Sequence, residues 1–66
     1  MKANKKKLEL AMVRACMNST DIAARAQIPE ATVRKVISGS GTRARTLGRI
    51  AAALGVDPAE IIEKED

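Results

Sequence analysis

Residues 18–39, NSTDIAARAQIPEATVRKVISG, constrain the fold more than any other segment, because they read as two short helices separated by a tight break. Small or apolar side chains recur at helical spacing on both sides of the break, at Ile22, Ala23 and Ala26 before it and at Val33 and Val36 after it. Helices this short do not bury a face alone, so they must pack on each other, and the small Ala23 allows a close approach. This pattern predicts a helix-turn-helix, whose second helix commonly enters the major groove of DNA.

Capping signals set the bounds of these two helices. Asn18 and Asp21 form a capping-box-like pair, which predicts the first helix over about residues 19–26. Pro29 disfavours a helical Ile28 and has a φ suited to a helix start, whereas Gly39 suits a helix stop. The second helix is therefore predicted over about residues 30–38.

Further helices are predicted on both sides of this unit. One spans about residues 5–16, with Asn4 as its N-cap and an apolar stripe at Leu8, Ala11, Met12 and Ala15. Another ends at Gly55 after an apolar face formed by Leu47, Ile50, Ala51 and Leu54. A short last helix is predicted to start at Asp57 and to return to the core through Ile61 and Ile62. We expect an all-α, compact five-helix single domain over residues 1–66, with residues 1–4 as a flexible basic arm and residues 63–66 as an acidic tail.

The charge of the chain is distributed unevenly. The net charge is +4, but residues 1–55 carry eleven Lys or Arg against three Asp or Glu, a balance of +8. Residues 56–66 carry one Lys against five acidic residues, a balance of −4. A basic body with an acidic tail favours a polyanionic partner, with the tail facing away from it.

Composition disfavours several other functions. The chain has no His, so a histidine base or a zinc site of the usual kind is not expected, and we predict no enzyme, no cofactor and no metal. Phosphate-cradling motifs and convergent carboxylates are also missing from the pattern. The single Cys16 forms no internal disulfide and is expected to be a small buried thiol in a protein of the reducing cytoplasm. No run of residues has the length of a membrane span or of a signal peptide core.

The chain resembles the Cro/repressor-type (Xre-like) helix-turn-helix family of phage repressors and bacterial regulators. The resemblance covers roughly residues 7–63 and includes the closing ALGVDPAEII of residues 53–62. It implies a five-helix, lambda-repressor-like DNA-binding domain in which the helices over residues 19–26 and 30–38 form the DNA-reading unit.

The chain departs from the family pattern at several positions. Ser19 stands where many members have a Gln that contacts a phosphate, although a hydroxyl at a helix start also suits a phosphate. Gln27 stands where Gly is common, and a left-handed Gln costs about 1–2 kcal/mol. Pro29 replaces the usual Ser or Thr cap. Met12 and Ile37 match an Arg and a Glu that pair in many members, and we predict that these two apolar side chains touch across the core.

Helical spacing and the resemblance together indicate the DNA contacts. If Val33 and Val36 face the core, the outward positions that would read bases are Glu30, Ala31, Arg34 and Lys35. Arg34 or Lys35 would donate to guanine, Glu30 would accept from cytosine, and Ala31 would pack on a thymine methyl group. The residues expected to contact phosphates are Ser19, Thr32, Thr42, Arg43 and Arg45. An ordinary solvated helix face is the alternative interpretation of the same positions. The arm lysines, Lys2, Lys5, Lys6 and Lys7, either follow the DNA or form a solubilising tail.

The leading hypothesis is a sequence-specific regulator of transcription, a repressor that binds a palindromic operator in double-stranded DNA as a dimer. Family analogy places the dimer surface around residues 54–62. The alternative is an antitoxin or another interaction module that also binds DNA, although such members usually carry a toxin-neutralising segment and only EKED follows Ile62. A membrane-active peptide and RNA binding by base stacking are disfavoured, because the chain has no aromatic residue. No small-molecule ligand is expected.

Overall fold

A computed structural model describes residues 1–63, which form four α-helices and one 3₁₀ turn. The α-helices are α1 (Lys5–Ala15), α2 (Ser19–Ala26), α3 (Glu30–Ile37) and α4 (Ala44–Leu54). The 3₁₀ turn is Pro58–Glu60. α2 packs against both α3 and α4, and α1 also contacts both of them. The prediction of an all-α chain is confirmed for these residues, and residues 64–66 of the predicted acidic tail lie outside them.

The capping residues read from the sequence act as helix caps in the structure. At the start of α1, the side chain of Asn4 accepts from the backbone N–H of Lys7 at 3.0 Å. At the start of α2, the Asn18 side chain accepts from Asp21 N at 2.8 Å, and the Asp21 side chain accepts from Asn18 N at 3.1 Å. Each cap satisfies a backbone donor that the helix leaves free and contributes about 1 kcal/mol. Local sequence therefore fixes where both helices begin.

The core is built from aliphatic side chains of all four helices and of the segment after α4. The largest fully buried side chains are Leu8, Ile22, Val33, Val36, Leu47, Ile50 and Ile61. Removing each such side chain from water contributes about 1.5–3 kcal/mol. Met12 and Ile37 pack half-buried against this core, and their predicted mutual contact stays a prediction. No polar side chain is buried among residues 1–63, and no helix in that range has the length and hydropathy of a membrane span.

The predicted fifth helix is a single 3₁₀ turn. Asp57 caps it as expected, since its side chain accepts from Ala59 N at 2.8 Å. The turn ends at Ile61, whose φ of −120° and ψ of −5° are not helical and whose side chain is buried in the core. Ile62 then pairs with Ala3 in an isolated antiparallel bridge. The helical turn therefore ends after Glu60, where Ile61 enters the core and Ile62 pairs with Ala3, and the five-helix count is not confirmed.

Residues 1–4, predicted to be a flexible arm, lie packed against the fold. Ala3 is only 2% exposed. Asn4 N donates to Ile61 O at 2.7 Å, Glu63 N donates to Lys2 O at 2.9 Å, and Thr42 N donates to Met1 O at 2.7 Å. The arm prediction considered only the lysines, whereas the small apolar Ala3 and the backbone groups of its neighbours hold the segment. We call residues 1–4 the N-terminal strap.

Cys16 is exposed, contrary to the expectation of a buried thiol. α1 ends at Ala15, and Cys16 takes the left-handed conformation with φ 56° and ψ 40°. Its N–H and that of Met17 donate to the last turn of α1, as in a Schellman helix ending. Because the helix stops one residue earlier than predicted, the side chain of Cys16 no longer lies on the buried stripe.

Candidate nucleic-acid interface

α3 presents an exposed face on the side opposite to its buried valines. Val33 and Val36 are buried, whereas Ala31, Arg34 and Lys35 are exposed. Glu30 and Thr32 are half-buried at the start of the helix. α3 therefore carries the four predicted base-reading residues, three of them exposed and Glu30 partly covered, at the spacing that helical periodicity requires.

A polar cluster links the start of α3 to α2. Thr20 Oγ1 donates to Glu30 Oε1 at 2.9 Å, and Glu30 Oε2 forms an ion pair with Arg34 Nη2. Glu30 and Arg34 are four residues apart, a spacing at which opposite charges on a helix attract each other, so this pair was predictable from the sequence. Thr20 was not predicted as a site residue, because its contact with Glu30 depends on how α2 packs on α3. We call Thr20, Glu30 and Arg34 the polar triad.

The start of α3 has no side-chain cap, as its sequence implies. Pro29 stands at the N-cap position with φ −59° and ψ 140°, and its carbonyl accepts from Thr32 N at 3.0 Å and from Val33 N at 3.2 Å. In α2, by contrast, the capping box leaves Ser19 half-buried at the first helical position. Both helix starts combine backbone N–H groups with a positive dipole end, which suits a phosphate.

The end of α3 is closed by backbone hydrogen bonds. Gly39 N donates to Val36 O at 3.1 Å and Ser40 N donates to Lys35 O at 3.0 Å, the two bonds of a Schellman motif. Gly39 has a φ of +92°, which favours glycine. A Cβ at Gly39 would lie 3.4 Å from Lys5 Cδ, so the aliphatic part of Lys5 covers this turn. Lys5 thus lies beside the end of α3.

The loop after Gly39 carries cations into the start of α4. Thr42 is half-buried and is held by the N-terminal strap through its hydrogen bond to Met1 O. Arg43 occupies the N-cap position of α4, Arg45 lies in its first turn, and both are exposed. Among residues 1–63 the one ion pair is Glu30–Arg34, so neither arginine has a carboxylate partner in that part of the chain. We call residues 40–45 the basic loop.

The candidate interface is formed by consecutive parts of the chain. These are the start of α2, the start and exposed face of α3, and the basic loop. Of the predicted phosphate contacts, Ser19 and Thr32 lie at the helix starts, and the other three lie in the basic loop. Two features were missed from the sequence: the contact of Thr20 with Glu30 and the strap that holds Thr42. Neither has a local signal, because each joins residues that are distant in the chain. The described residues contain no cluster of acidic, Cys or His side chains suited to a metal ion.

A comparison with protein families identifies a match over nearly the whole chain. The family model described as the Cro/C1-type HTH DNA-binding domain matches residues 7–66. Searches of curated proteins and of solved structures gave no significant match. The matched region includes all four helices except the first two residues of α1.

Proposed function

The chain belongs to the Cro/C1-type helix-turn-helix DNA-binding domain family, and from this premise we propose that it is a repressor of transcription that binds a palindromic operator as a homodimer. Family membership supports DNA binding and a role in transcription regulation. The observation that carries the finer proposal is the exposed face of α3, with Arg34 and Lys35 side by side above two buried valines. A DNA partner supports the cytoplasm as the proposed site of action.

Base recognition is assigned to the exposed face of α3. Arg34 and Lys35 carry the donors that match guanine O6 and N7, and Ala31 offers a methyl group to thymine. Glu30 belongs to the same face, where its carboxylate accepts from Thr20 and Arg34. Each well-formed contact with a base edge discriminates by about 1–3 kcal/mol.

Phosphate contacts are assigned to the helix starts and to the basic loop. The residues proposed are Ser19, Thr32, Thr42, Arg43 and Arg45. Phosphate contacts fix the register of a protein on the duplex without reading its sequence. The strap supports this assignment, because its bond to Thr42 N holds the loop beside the end of α3.

A dimer is proposed because one module of this size reads too few base pairs for useful specificity. In a two-fold symmetric operator the half-sites lie about 34–36 Å apart. The proposed dimer surface is the segment from Leu54 to Ile62. Leu54 and Ile61 face the core in the structure, so the half-buried Val56 and Ile62 supply the apolar part of this surface.

Selection of bound duplexes from a random DNA pool, at low and at near-physiological salt, tests the proposal. We expect a palindrome with half-sites one helical turn apart and two chains per duplex in sedimentation. Lys35→Ala should relax the preference at one base position of each half-site. Arg14→Ala, in the last turn of α1, is the matched control and should leave the selected sequence unchanged.

Enrichment of no sequence, with binding lost as salt rises, would contradict the repressor proposal. The basic surface would then serve general attraction to polyanions. The antitoxin alternative predicts instead a stable complex with a toxin encoded by a neighbouring gene. Binding of a half-site by a single chain, with no second chain at saturation, would contradict the dimer alone.

A further inference from the structure

Three side chains from two helices meet at the start of α3. The two oxygens of Glu30 have different partners: Oε1 accepts from Thr20 Oγ1 at 2.9 Å, and Oε2 pairs with Nη2 of Arg34. The side chain of Glu30 is 33% exposed, and that of Arg34 is 69% exposed. The carboxylate of Glu30 therefore accepts from Thr20 of α2 through one oxygen and pairs with the exposed Arg34 through the other.

This arrangement disfavours Glu30 as a base reader. A carboxylate that reads cytosine must direct an acceptor lone pair at N4, whereas in this structure both oxygens of Glu30 are oriented toward protein donors, those of Thr20 and Arg34, and a base would have to use a remaining lone pair. Its charge is also repelled by the phosphates on either side of the groove. Arg34, in contrast, has five N–H donors, and its contact with Glu30 occupies the end at Nη2.

We propose that Glu30 is a positioning residue, which holds Arg34 in the orientation that reads the guanine of a G·C pair and touches no base itself. Thr20 in turn holds Glu30. Restricting the side chain of Arg34 before binding lowers the entropy lost on contact with the base. The charge of Glu30 lowers affinity for every sequence, while the orientation of Arg34 raises affinity for one. Glu30 thus lowers the general affinity for DNA and increases discrimination between bases. This inference rests on the proposed function, because it requires α3 to read a groove.

Glu30→Gln is the decisive variant, since it keeps the size and the hydrogen-bonding capacity toward Thr20 but removes the charge that holds Arg34. The base position read by Arg34 is defined first, as the one whose preference is lost in Arg34→Ala. At that position we expect Glu30→Gln to lower the preference for guanine by roughly three- to tenfold, a part of what a bidentate contact provides. Affinity for a scrambled duplex should rise about threefold. Glu9→Gln, an equal charge change on an exposed residue of α1, is the matched control and should leave the guanine preference unchanged.

A double-mutant cycle separates positioning from direct reading. In the Arg34→Ala background, Glu30→Gln should have no further effect on base preference at any position, because the residue it acts through is gone. A change at another position in that background, in particular a lost preference for cytosine, would overturn the inference and make Glu30 a base reader. An unchanged guanine preference in Glu30→Gln alone would overturn it as well.

A measurement without DNA distinguishes failure of this inference from failure of the proposed function. The NMR order parameter of the Arg34 Nε–H group should fall in Glu30→Gln and in Thr20→Val, and should stay unchanged in Glu9→Gln. If Arg34 is as mobile in the wild type as in the variants, the positioning role is wrong whatever the DNA results. If Arg34 is ordered but the wild type selects no sequence, the polar triad exists and the proposed function is wrong. The assignment of Arg34 to guanine is then wrong as well.

Discussion

The two ends of α3 are held in different ways. At its start, side chains bind one another, since Thr20 and Arg34 both contact the carboxylate of Glu30. At its end, the backbone closes the helix through the Schellman bonds of Gly39 and Ser40, and the strap holds Thr42 through another backbone bond. Cations occur along α3 and in the basic loop, but only Arg34, which pairs with Glu30 at the start of the helix, has a carboxylate partner among residues 1–63.

This difference separates two tasks of a DNA-binding surface. A cation paired with a carboxylate is oriented and partly neutralised, which favours discrimination between bases over attraction to any phosphate. Arg43 and Arg45, at the start of α4, have no carboxylate partner among residues 1–63 and keep their full charge for the phosphates. The polar triad therefore favours specificity, and the arginines of the basic loop favour general affinity.

The largest effect is expected from breaking the strap. Ala3→Asp places a charge where the alanine is 2% exposed, so residues 1–3 should detach rather than bury it. The loss of the two backbone hydrogen bonds accepted by Met1 O and Lys2 O, and of the Ala3 contact, should lower the free energy of unfolding by about 2–3 kcal/mol in chemical denaturation. DNA affinity should fall for all sequences, because the basic loop loses its support.

Ala59→Asp is the control for this variant, because Ala59 is an exposed alanine in the 3₁₀ turn. It should change the free energy of unfolding by less than about 0.5 kcal/mol. If Ala3→Asp were no more destabilising than Ala59→Asp, the strap would not hold the loop, and the flexible arm predicted from the sequence would describe residues 1–4 better.

The next largest effect is expected from the basic loop. Arg43→Gln and Arg45→Gln should each lower the slope of log K against log salt concentration by about 0.9, because each removes one phosphate contact. Together they should reduce affinity at 0.15 M salt by about 30-fold, or about 2 kcal/mol, and equally for operator and scrambled duplexes. Fluorescence anisotropy over a salt series measures both quantities.

Arg14→Gln removes an equal charge from the last turn of α1 and should leave the salt slope nearly unchanged. An operator affinity that falls far more than the scrambled-duplex affinity would show that the arginines of the loop read bases. That result would remove the separation of tasks between the polar triad and the basic loop.

The smallest effect is expected at the turn that precedes α3. Gln27 has a left-handed backbone conformation, with φ 58° and ψ 47°. After α3 the residue with a positive φ is a glycine, Gly39. Gln27→Gly should relieve about 1–2 kcal/mol of backbone strain, offset in part by the greater freedom of glycine in the unfolded chain. The expected net gain is about 0.5–1 kcal/mol, or about 3–6 °C in Tm by calorimetry.

Two variants control for this gain. Gln27→Ala keeps the Cβ and should gain nothing. Gly55→Ala introduces a Cβ at φ +73° with no atom within 4 Å, so it should lose about 1 kcal/mol through backbone strain alone. A stabilised Gln27→Ala would mean that the glutamine side chain, and not its backbone conformation, carries the cost.

Much of the fold was predictable because its signals are local. α2 was predicted with the bounds that the structure gives, since Asn18 and Asp21 form its capping box and Gln27 ends it. The apolar face of α4 was predictable for the same reason, because helical spacing alone places its four residues on one side. Cys16 was predicted to be buried and is exposed, because α1 ends at Ala15 and Cys16 takes a left-handed backbone conformation outside the helix.

The sequence by itself determined the helices, their caps and the residue types on the outward face of α3, because these depend on neighbours within a few positions. Only the tertiary structure decided that Ala3 pairs with Ile62, that Met1 holds Thr42 and that Thr20 supports Glu30. Each of these contacts joins residues ten or more positions apart. Their formation depends on how the helices pack around one aliphatic core, and no local propensity records that packing.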